Sequence, residues 1–366
     1  DKAGRCHVRI VYTKDGGKAW DITSLVSSAT WSGDYKQAAR TLDIEVLAGE
    51  SMGEAWKVTG NIGLGDMLQL YEYGEELFRG YVFTVNKSLQ SAGRTIKAYD
   101  GAVYALKSNI AQNFSGVTAQ GVTRQVAGQL GLKIGTMPKD KGLSLRFAHL
   151  NKSAYSAIMG AWTKVSAATG YKYIIRMDKG KLTVAIVGQE YAPYILSPAS
   201  TVVDGDVSDS LEDAITQAVV TTDKGAVAAV ALDEKNRARY GVLQASEAVK
   251  EGQAPGYQAK QLLKGPQQDI RLSSIIGLPG AEKLIAGNAA AVNDPALNIF
   301  GRYFILNDTH TFESGRHTVS VGLSLDALMD EMEIEEIKQK AASARKKVDD
   351  VNTNDPWATA RILGGG

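Results

Sequence analysis

The chain has 366 residues, with 41 basic and 40 acidic side chains and a formal net charge of +1. Proteins that bind nucleic acid through phosphate neutralisation show a basic excess or stripe, so no specific nucleic-acid binding is predicted. The single cysteine, Cys6, excludes an internal disulfide framework and fits a reducing compartment. Charge interrupts the longest apolar stretches, so neither membrane insertion nor a signal peptide is predicted.

The first 105 residues have the pattern of antiparallel strands. Leu42, Ile44 and Val46 alternate with polar or acidic neighbours, as one buried face of a strand does. Residues 65–100 then give three aromatic and β-branched segments separated by turns near Gly74 and Gly93, which is typical of a meander. We predict a first β-barrel over residues 1–105.

The hydrophobic period changes after residue 101. Residues 102–108, 118–130 and 153–169 are predicted helices, and the last begins at an N-cap, Ser153, and ends at Gly170. A hairpin with a turn at 178–180 follows. We predict an α+β insert domain over residues 106–195.

The second half returns to strand patterns. Alternation is cleanest at 317–325, and 218–222 with 226–232 forms another predicted strand pair; 240–244 and 269–276 are also predicted to be extended. These patterns predict a second β-barrel from 196–245 and 287–326, with a small α/β insert at 246–286 that contains a helix at 256–263. Residues 327–366 are predicted to form a charged helix, beginning near Asp326, and a flexible tail.

The two predicted β regions echo one another. Shifting residues 65–94 forward by 222 positions places Gly65 on Gly287, Phe78 on Phe300 and Tyr81 on Tyr303. We interpret this as two related small β-domains in one chain. The middle strands are apolar on both faces, so the outer face is expected to be covered by an insert or by another subunit.

No pattern in the sequence predicts catalysis, a cofactor or a metal site. His310 and His317 flank one predicted turn and could approach each other, but two histidines without a nearby cysteine make a poor metal site, and ordinary hairpin residues are predicted. The aspartates of DGDVSD, residues 204–209, lack the glutamate and central glycine of a calcium loop, so a solvated turn is predicted. Paired acids such as Glu75 with Glu76 are predicted to lie on the surface.

The order of the segments resembles the tail-hub proteins of contractile-tailed phages, of the XkdQ/YqbQ type found in PBSX-like prophages and related to late control protein D. The resemblance covers about residues 5–326 and is carried by four stretches: GDMLQLYEYGEELFRGYVFTVNKSLQSAGRTIKAYD (65–100), SAYSAIMGAWTKVSAATGYKYIIRMDKGKL (153–182), RYGVLQASEAV (239–249) and GRYFILNDTHTFESGRHTVSVGLSL (301–325).

This resemblance implies a mainly β fold with two tail-tube-like antiparallel β-barrels and smaller α+β domains. It further implies a structural baseplate hub with no enzymatic activity and no cofactor. In such a hub, three chains with two barrels each form a pseudo-sixfold ring between a threefold spike and a sixfold tail tube. The expected partners are further copies of the chain, a separate spike protein, the tail tube protein, and tape-measure and other baseplate proteins. The expected location is the tail or baseplate of a virion or tail-like particle, assembled in the cytoplasm of the bacterial host.

Two sets of residues are candidates for contacts. Subunit-interface candidates lie on the two middle strands: Arg79, Tyr81, Phe83, Arg302, Tyr303 and Phe304. Partner-docking candidates lie in the C-terminal region: Met332, Ile337 and Trp357. Two alternatives remain at this stage, a tail-associated cell-wall hydrolase and a hexameric tube or ring protein.

Overall fold

The computed structural model describes residues 7–14, 17–47, 54–87, 93–250 and 254–334 of the chain. These residues form a mainly β fold, with helices confined to short segments between strands. The largest sheet runs through two groups of strands, which we call module 1 and module 2. No helix in the described ranges has the length and apolar character needed to cross a membrane.

Module 1 is built from the first hundred residues. Its strands are β1 (Val8–Thr13), β2 (Ala19–Asp21), β3 (Val26–Asp34), β4 (Gln37–Leu47), β5 (Met67–Glu72), β6 (Glu75–Lys87) and β7 (Gly93–Asp100), with helix α1 (Glu54–Thr59) between β4 and β5. They pair antiparallel in the order β2-β1-β5-β6-β7-β4-β3. Leu42, Ile44 and Val46 are fully buried in its core, as their alternation predicts.

The α+β insert follows module 1. It contains α2 (Ala102–Lys107), β8 (Asn109–Val117), α3 (Ala119–Gln129), β9 (Lys133–Ile134), β10 (Leu145–Ser153), α4 (Ala154–Thr169), β11 (Tyr173–Asp178) and β12 (Lys181–Ile186). The ends of α4 are confirmed: the hydroxyl of Ser153 accepts a hydrogen bond from the Ser156 N–H, and Gly170 takes a left-handed conformation with φ 77°. The pairing of β8 with β10 is absent from the sequence predictions, and two β-bulges interrupt it.

The insert covers the outer face of module 1. Phe83 and Tyr99 pack against the insert core, and the ring of Phe83 lies 6.2 Å from that of Tyr104 on α2. The expectation that the second apolar face of the middle strand is covered is therefore confirmed for module 1, and the cover is a segment of the same chain.

The second half of the chain forms module 2 and a small separate sheet. In chain order it contains β13 (Tyr191–Leu196), β14 (Asp204–Ser210), β15 (Gln217–Thr221), β16 (Val227–Leu232), α5 (Glu234–Tyr240), β17 (Gln244–Ala248), α6 (Pro255–Leu262), β18 (Gln267–Ile276), β19 (Ala289–Asp294), β20 (Ile299–Glu313) and β21 (Arg316–Ser324). Module 2 has the order β13-β19-β20-β21-β18-β14, whereas β16-β15-β17 form their own sheet.

Several expectations for this half are wrong. Strands β15 and β16 bury Val220 and Ala231 against α6, so they belong to the small insert, which runs from 211 to 266 rather than from 246 to 286. The strand predicted at 240–244 begins only at its last residue, because α5 ends at Tyr240 and β17 starts at Gln244. The DGDVSD segment lies in strand β14 instead of a turn, because all seven residues of β14 pair with β18. Residues 326–334 are not helical, and Met329 and Ile334 are buried in the core of the α+β insert.

Modules 1 and 2 share one strand order. Leaving aside β2, module 1 has six strands, which in chain order are β1, β3, β4, β5, β6 and β7. If these are numbered 1 to 6, their order across the sheet is 1-4-5-6-3-2. The six strands of module 2 are arranged in the same sequence. The two differ in direction at one position, since β1 runs antiparallel to β5 but β13 runs parallel to β19.

The hydrogen bonds that enter each meander also correspond. Gly65 and Gly287 have φ values of 84° and 89°, a region that glycine occupies without steric cost. The Gly65 N–H donates to the Val82 carbonyl, and the Gly287 N–H donates to the Ile305 carbonyl. Both middle strands then carry a bulge one residue later. The two segments are thus meanders of the same topology.

The gapless 222-residue alignment is out of register in the middle strands. Met67 and Ala289 correspond at this spacing, but their partners across the hairpin are Tyr81 and Phe304, which stand 223 positions apart. A shift of one residue moves side chains to the opposite face of a sheet. Accordingly, Phe78 is 3% exposed, whereas Phe300, with which the sequence pairs it, is 53% exposed.

Candidate assembly interfaces

The two modules are joined by backbone pairing between β3 and β20. Strand β20 has 15 residues; its first part pairs with β19 and its later part pairs antiparallel with β3. Seven residue pairs run from Asn307 opposite Asp34 to Glu313 opposite Ser28. We call this the intermodule junction. It extends the sheet of module 1 into module 2 without a break.

A buried ion pair lies across the junction. Arg40 of β4 donates from Nη1 to Asp308 Oδ1 of β20 at 2.9 Å, and its second terminal nitrogen pairs with the other oxygen. The guanidinium carbon lies 4.0 Å from the ring centre of Trp31. Gly33 makes this possible, because a Cβ there would lie 2.2 Å from Arg40 Nη1.

Two carboxylates near Arg40 have raised pKa values. Burial raises the pKa of Asp308, while Arg40 and the Ala286 N–H oppose the shift. Burial also raises the pKa of Asp100 to about 7, although the N–H groups of Ala102 and Arg40 donate to it. Both residues are at most 2% exposed, so the charge on each depends on these few partners.

A second buried chain of polar groups crosses between the modules. Glu72 Oε1 on β5 lies 2.9 Å from His317 Nδ1, and His317 Nε2 lies 3.0 Å from His310 Nδ1. His310 Nε2 lies 3.1 Å from the Leu284 carbonyl. The two histidines do approach each other across the β20–β21 hairpin, and both are buried, at 0% and 5% exposed.

The partners define where the protons lie. The Leu284 carbonyl can only accept, so His310 Nε2 carries a proton; burial, His317 and Arg40 together lower the pKa of His310 well below its ordinary value, so this ring is neutral. His310 Nδ1 then accepts from His317 Nε2. The remaining ring nitrogen, His317 Nδ1, lies within hydrogen-bond distance of Glu72 Oε1, so this contact links the two modules.

The predicted interface residues Arg79 and Arg302 are structural equivalents, 223 positions apart. The side chain of Arg79 bonds to Glu76 and passes 3.2 Å from the Cβ position at Gly180, just before β12. Arg302 donates to the carbonyl of Gly188, just after β12, at 2.7 Å. Arg302 therefore bonds to the insert just after β12, and Arg79 lies close to the turn just before it. A role between chains stays a prediction for both. Glu76, predicted to be exposed, has a side chain only 9% exposed because it accepts from Arg79.

The four aromatic interface candidates also contact this chain. Tyr81 lies 6.0 Å from Tyr104 in an edge-to-face contact, and Phe83 packs on the insert core as described above. Phe304 packs with Ile174 and Val187 at the insert boundary. Tyr303 is 4% exposed in the core of module 2, which leaves its side chain almost no surface for a neighbour.

The C-terminal described segment folds back on α4. The Tyr155 hydroxyl donates to Asp330 at 3.0 Å, and the Met332 N–H donates to the Thr163 hydroxyl at 3.1 Å. Ile334 sits over Gly160, where a Cβ would lie 2.3 Å from its Cγ2. Met332, predicted to dock a partner, is thus partly buried against the insert. The other two docking candidates, Ile337 and Trp357, lie outside the described residues.

Sequence reasoning missed the junction residues Arg40 and Asp308 and the burial of the histidines. One signal was present for His317. It alternates with Val319, Val321 and Leu323 and so lies on the same face of β21, which is otherwise apolar. No comparable signal marks Arg40, because its partner is far away in sequence. In the described ranges, no three His, Cys, Asp or Glu side chains are grouped to hold a metal ion.

The sequence is similar to a known protein family and to two proteins of Bacillus subtilis. The sequence profile described as YqbQ-like matches residues 29–324. The uncharacterized protein YqbQ of Bacillus subtilis (strain 168) is 24% identical over 309 residues, covering 81% of this chain and 91% of that protein. The phage-like element PBSX protein XkdQ of the same organism is 23% identical over 307 residues, covering 81% and 91%.

A solved structure supports the same conclusion for the fold. The 43 kDa tail protein of prophage MuSo2 from Shewanella oneidensis superimposes with a TM-score of 0.68 at 13% identity, covering 86% of this chain and 96% of that one. The match of the family profile runs from within β3 of module 1 to the end of β21 of module 2 and includes both inserts. The chain belongs to the YqbQ-like family.

Proposed function

We propose that this chain is a structural protein of a phage tail or tail-like particle, and that it serves as the trimeric hub of a contractile-tail baseplate. In this role three chains contribute six β modules to a ring that joins a threefold spike to a sixfold tail tube. Each module would close into a tube-like β-barrel in the ring. The hub has no catalytic task, and its partners are the spike, the tube and the neighbouring baseplate proteins.

One observation carries the proposal: modules 1 and 2 have the same strand order and the same entry hydrogen bonds, and they are joined edge to edge by β3 and β20. A chain with two equivalent modules lets a trimer present six similar surfaces. Kinship with a PBSX protein and the fold shared with a prophage tail protein support the tail setting.

The intermodule junction fits a part that holds a fixed geometry. The buried Arg40–Asp308 pair and the Glu72–His317–His310 chain connect the two modules. Removing one partner of such a buried contact destabilises the folded protein. Both modules bond to the α+β insert: Glu75 of module 1 accepts from Lys179, and Arg302 of module 2 donates to the Gly188 carbonyl. These contacts favour one rigid relation between the modules over a hinge.

Copy number tests the proposal. In purified tail-like particles that contain the chain, isotope-dilution mass spectrometry is expected to count three copies per particle, half the number of subunits in one tail-tube ring. Six copies would instead support a hexameric ring protein and would overturn the hub.

A zymogram tests the absence of catalysis. The purified full chain is expected to leave a gel containing bacterial cell wall uncleared at every pH sampled. A cleared band that co-migrates with the chain would assign a hydrolase and would overturn the structural role.

A further inference from the structure

The shared strand order leaves one junction without a partner. Within the chain, the edge strand β3 of module 1 adds to the later part of β20 of module 2. The corresponding elements are β14 of module 2 and the later part of β6 of module 1. In the described ranges, β14 pairs on one side only, with β18, and residues 84–87 of β6 pair on one side only, with β7.

The geometry points to a head-to-tail contact in which β14 of one chain adds antiparallel to residues 84–87 of β6 in the next, copying the intermodule junction. This inference rests on the proposed ring and names the surfaces that close it. The occupant of each edge is a second copy of this chain.

Strand pairings inside the modules fix the register. Leu42 and Ile44 lie opposite Ala98 and Ile96, just as Ile270 and Leu272 lie opposite Leu323 and Val321. Counting from these pairs, Trp31 corresponds to Val207 of β14, and His310 corresponds to Lys87 of β6. The observed pairs Trp31–His310 and Ser32–Thr309 then predict Val207 opposite Lys87 and Ser208 opposite Asn86.

Burial agrees with a missing neighbour at this edge. Trp31, which β20 covers, is 3% exposed, whereas its equivalent Val207 is only half-buried at an open edge. Residues 84, 86 and 87 of β6 are exposed, although the matching part of β20 includes the fully buried His310. An uncovered edge of this length invites pairing with another strand.

Charge favours the same partner. Strand β14 carries three carboxylates, at Asp204, Asp206 and Asp209, and Lys87 is the charged residue of β6 that would face it. In the predicted register, Lys87 and Asp209 are diagonal neighbours on one face, within reach of a lysine side chain. Two copies of β14 would repel each other, which opposes a symmetric dimer through this edge.

Disulfide trapping tests the register in the full chain with Cys6→Ser. Directly opposed residues of an antiparallel pair have Cα atoms close enough for a disulfide. The variant with Ser208→Cys and Asn86→Cys is expected to form a covalent ladder under mild oxidation that ends at the trimer. Each single-cysteine variant alone gives no ladder, and mixing the two singles gives covalent dimers only.

An off-register variant is the matched control. Ser208→Cys with Thr84→Cys places the two cysteines on diagonal positions about 7–8 Å apart between Cα atoms. This separation is beyond disulfide reach, so the ladder should be lost. A second measurement uses charge: Lys87→Glu should reduce the oligomer seen by light scattering, and adding Asp209→Lys should restore it.

The outcomes separate this inference from the proposed function. Absence of the Ser208–Asn86 ladder, or stronger trapping of the off-register pair, overturns the inference. If three copies per particle are still counted in that case, the hub stands and uses other surfaces. A ladder that ends at a covalent hexamer keeps the head-to-tail contact and overturns the trimer.

Discussion

Arg40 and Asp308, 268 positions apart in sequence, form a two-pronged ion pair buried at the junction between two modules of the same strand order. Each residue comes from a different module, and the ring of Trp31 lies against the guanidinium. The pair therefore marks where one chain has already made the kind of contact that a ring of such modules has to repeat.

Removing one partner of this pair should destabilise the chain strongly. In Arg40→Met the Asp308 carboxylate stays buried without its cation, a change that typically costs about 3–5 kcal/mol. The matched control is Lys97→Met, which breaks the exposed ion pair with Asp43 and should cost no more than about 1 kcal/mol. Urea unfolding followed by circular dichroism measures both, and an equal loss in the two variants would contradict a structural role for Arg40.

Asp100 should make stability fall as pH rises. Burial raises its folded pKa to about 7 from 3.8, so the folded chain holds a proton that the unfolded chain releases. The contribution is fully present below about pH 4 and is lost as pH approaches about 7. Asp100→Asn should reduce the dependence of the melting temperature on pH in this window. Asp269→Asn, at an exposed position, should leave that dependence unchanged. A wild-type slope in Asp100→Asn would remove Asp100 as its source.

His310 should act in the opposite direction. Its pKa is lowered well below the ordinary value, mainly by burial, so the unfolded chain binds a proton that the folded chain excludes. This contribution is present above about pH 6.5 and is lost as pH falls. Nitrogen-15 spectra of histidine-labelled protein should show a neutral His310 ring, with its proton on Nε2, at a pH where an ordinary imidazole is already half protonated. A charged His310 ring at pH 6 would contradict the proton assignment.

Filling the space at Gly160 should release the C-terminal segment. Gly160→Val places side-chain carbon where Ile334 now sits, so residues 326–334 should detach from α4 and become the first site of proteolysis. The control is Gly128→Ala in α3, where an added Cβ meets no atom within 4 Å. This substitution should stabilise the folded chain by about 0.5–1 kcal/mol. Unchanged proteolysis in Gly160→Val would show that the segment is not held there. Deletions meant to spare the insert should therefore begin after Ile334.

Local patterns were predictable from the sequence, and contacts over long separations were not. The caps of α4 at Ser153 and Gly170 follow from the chemistry of helix ends, and the meanders follow from alternation and glycine turns. The repeat was visible, but its register was not. The span from Ala289 to its partner Phe304 is one residue longer than the span from Met67 to Tyr81, and no gap shows in the glycine spacing.

The remaining misses share a physical cause. Residues 326–334 have a composition that favours a helix, yet Met329 and Ile334 are buried in the core of the α+β insert and the segment is not helical. Tertiary packing overrides local propensity here. A turn was predicted for β14 because the segment is rich in aspartate. Acidic residues also suit an exposed edge strand, and alternation alone does not distinguish the two. The interface candidates Arg79 and Arg302 were sound as a matched pair, but the insert that both contact was not foreseeable from either meander.

Electron microscopy of the chain in assembled particles shows the arrangement of the modules itself. We expect a ring of three chains in which six β lobes alternate as module 1 and module 2, with β14 of each chain beside β6 of the next. A ring of six chains, or three chains whose modules do not alternate around one circle, would contradict it.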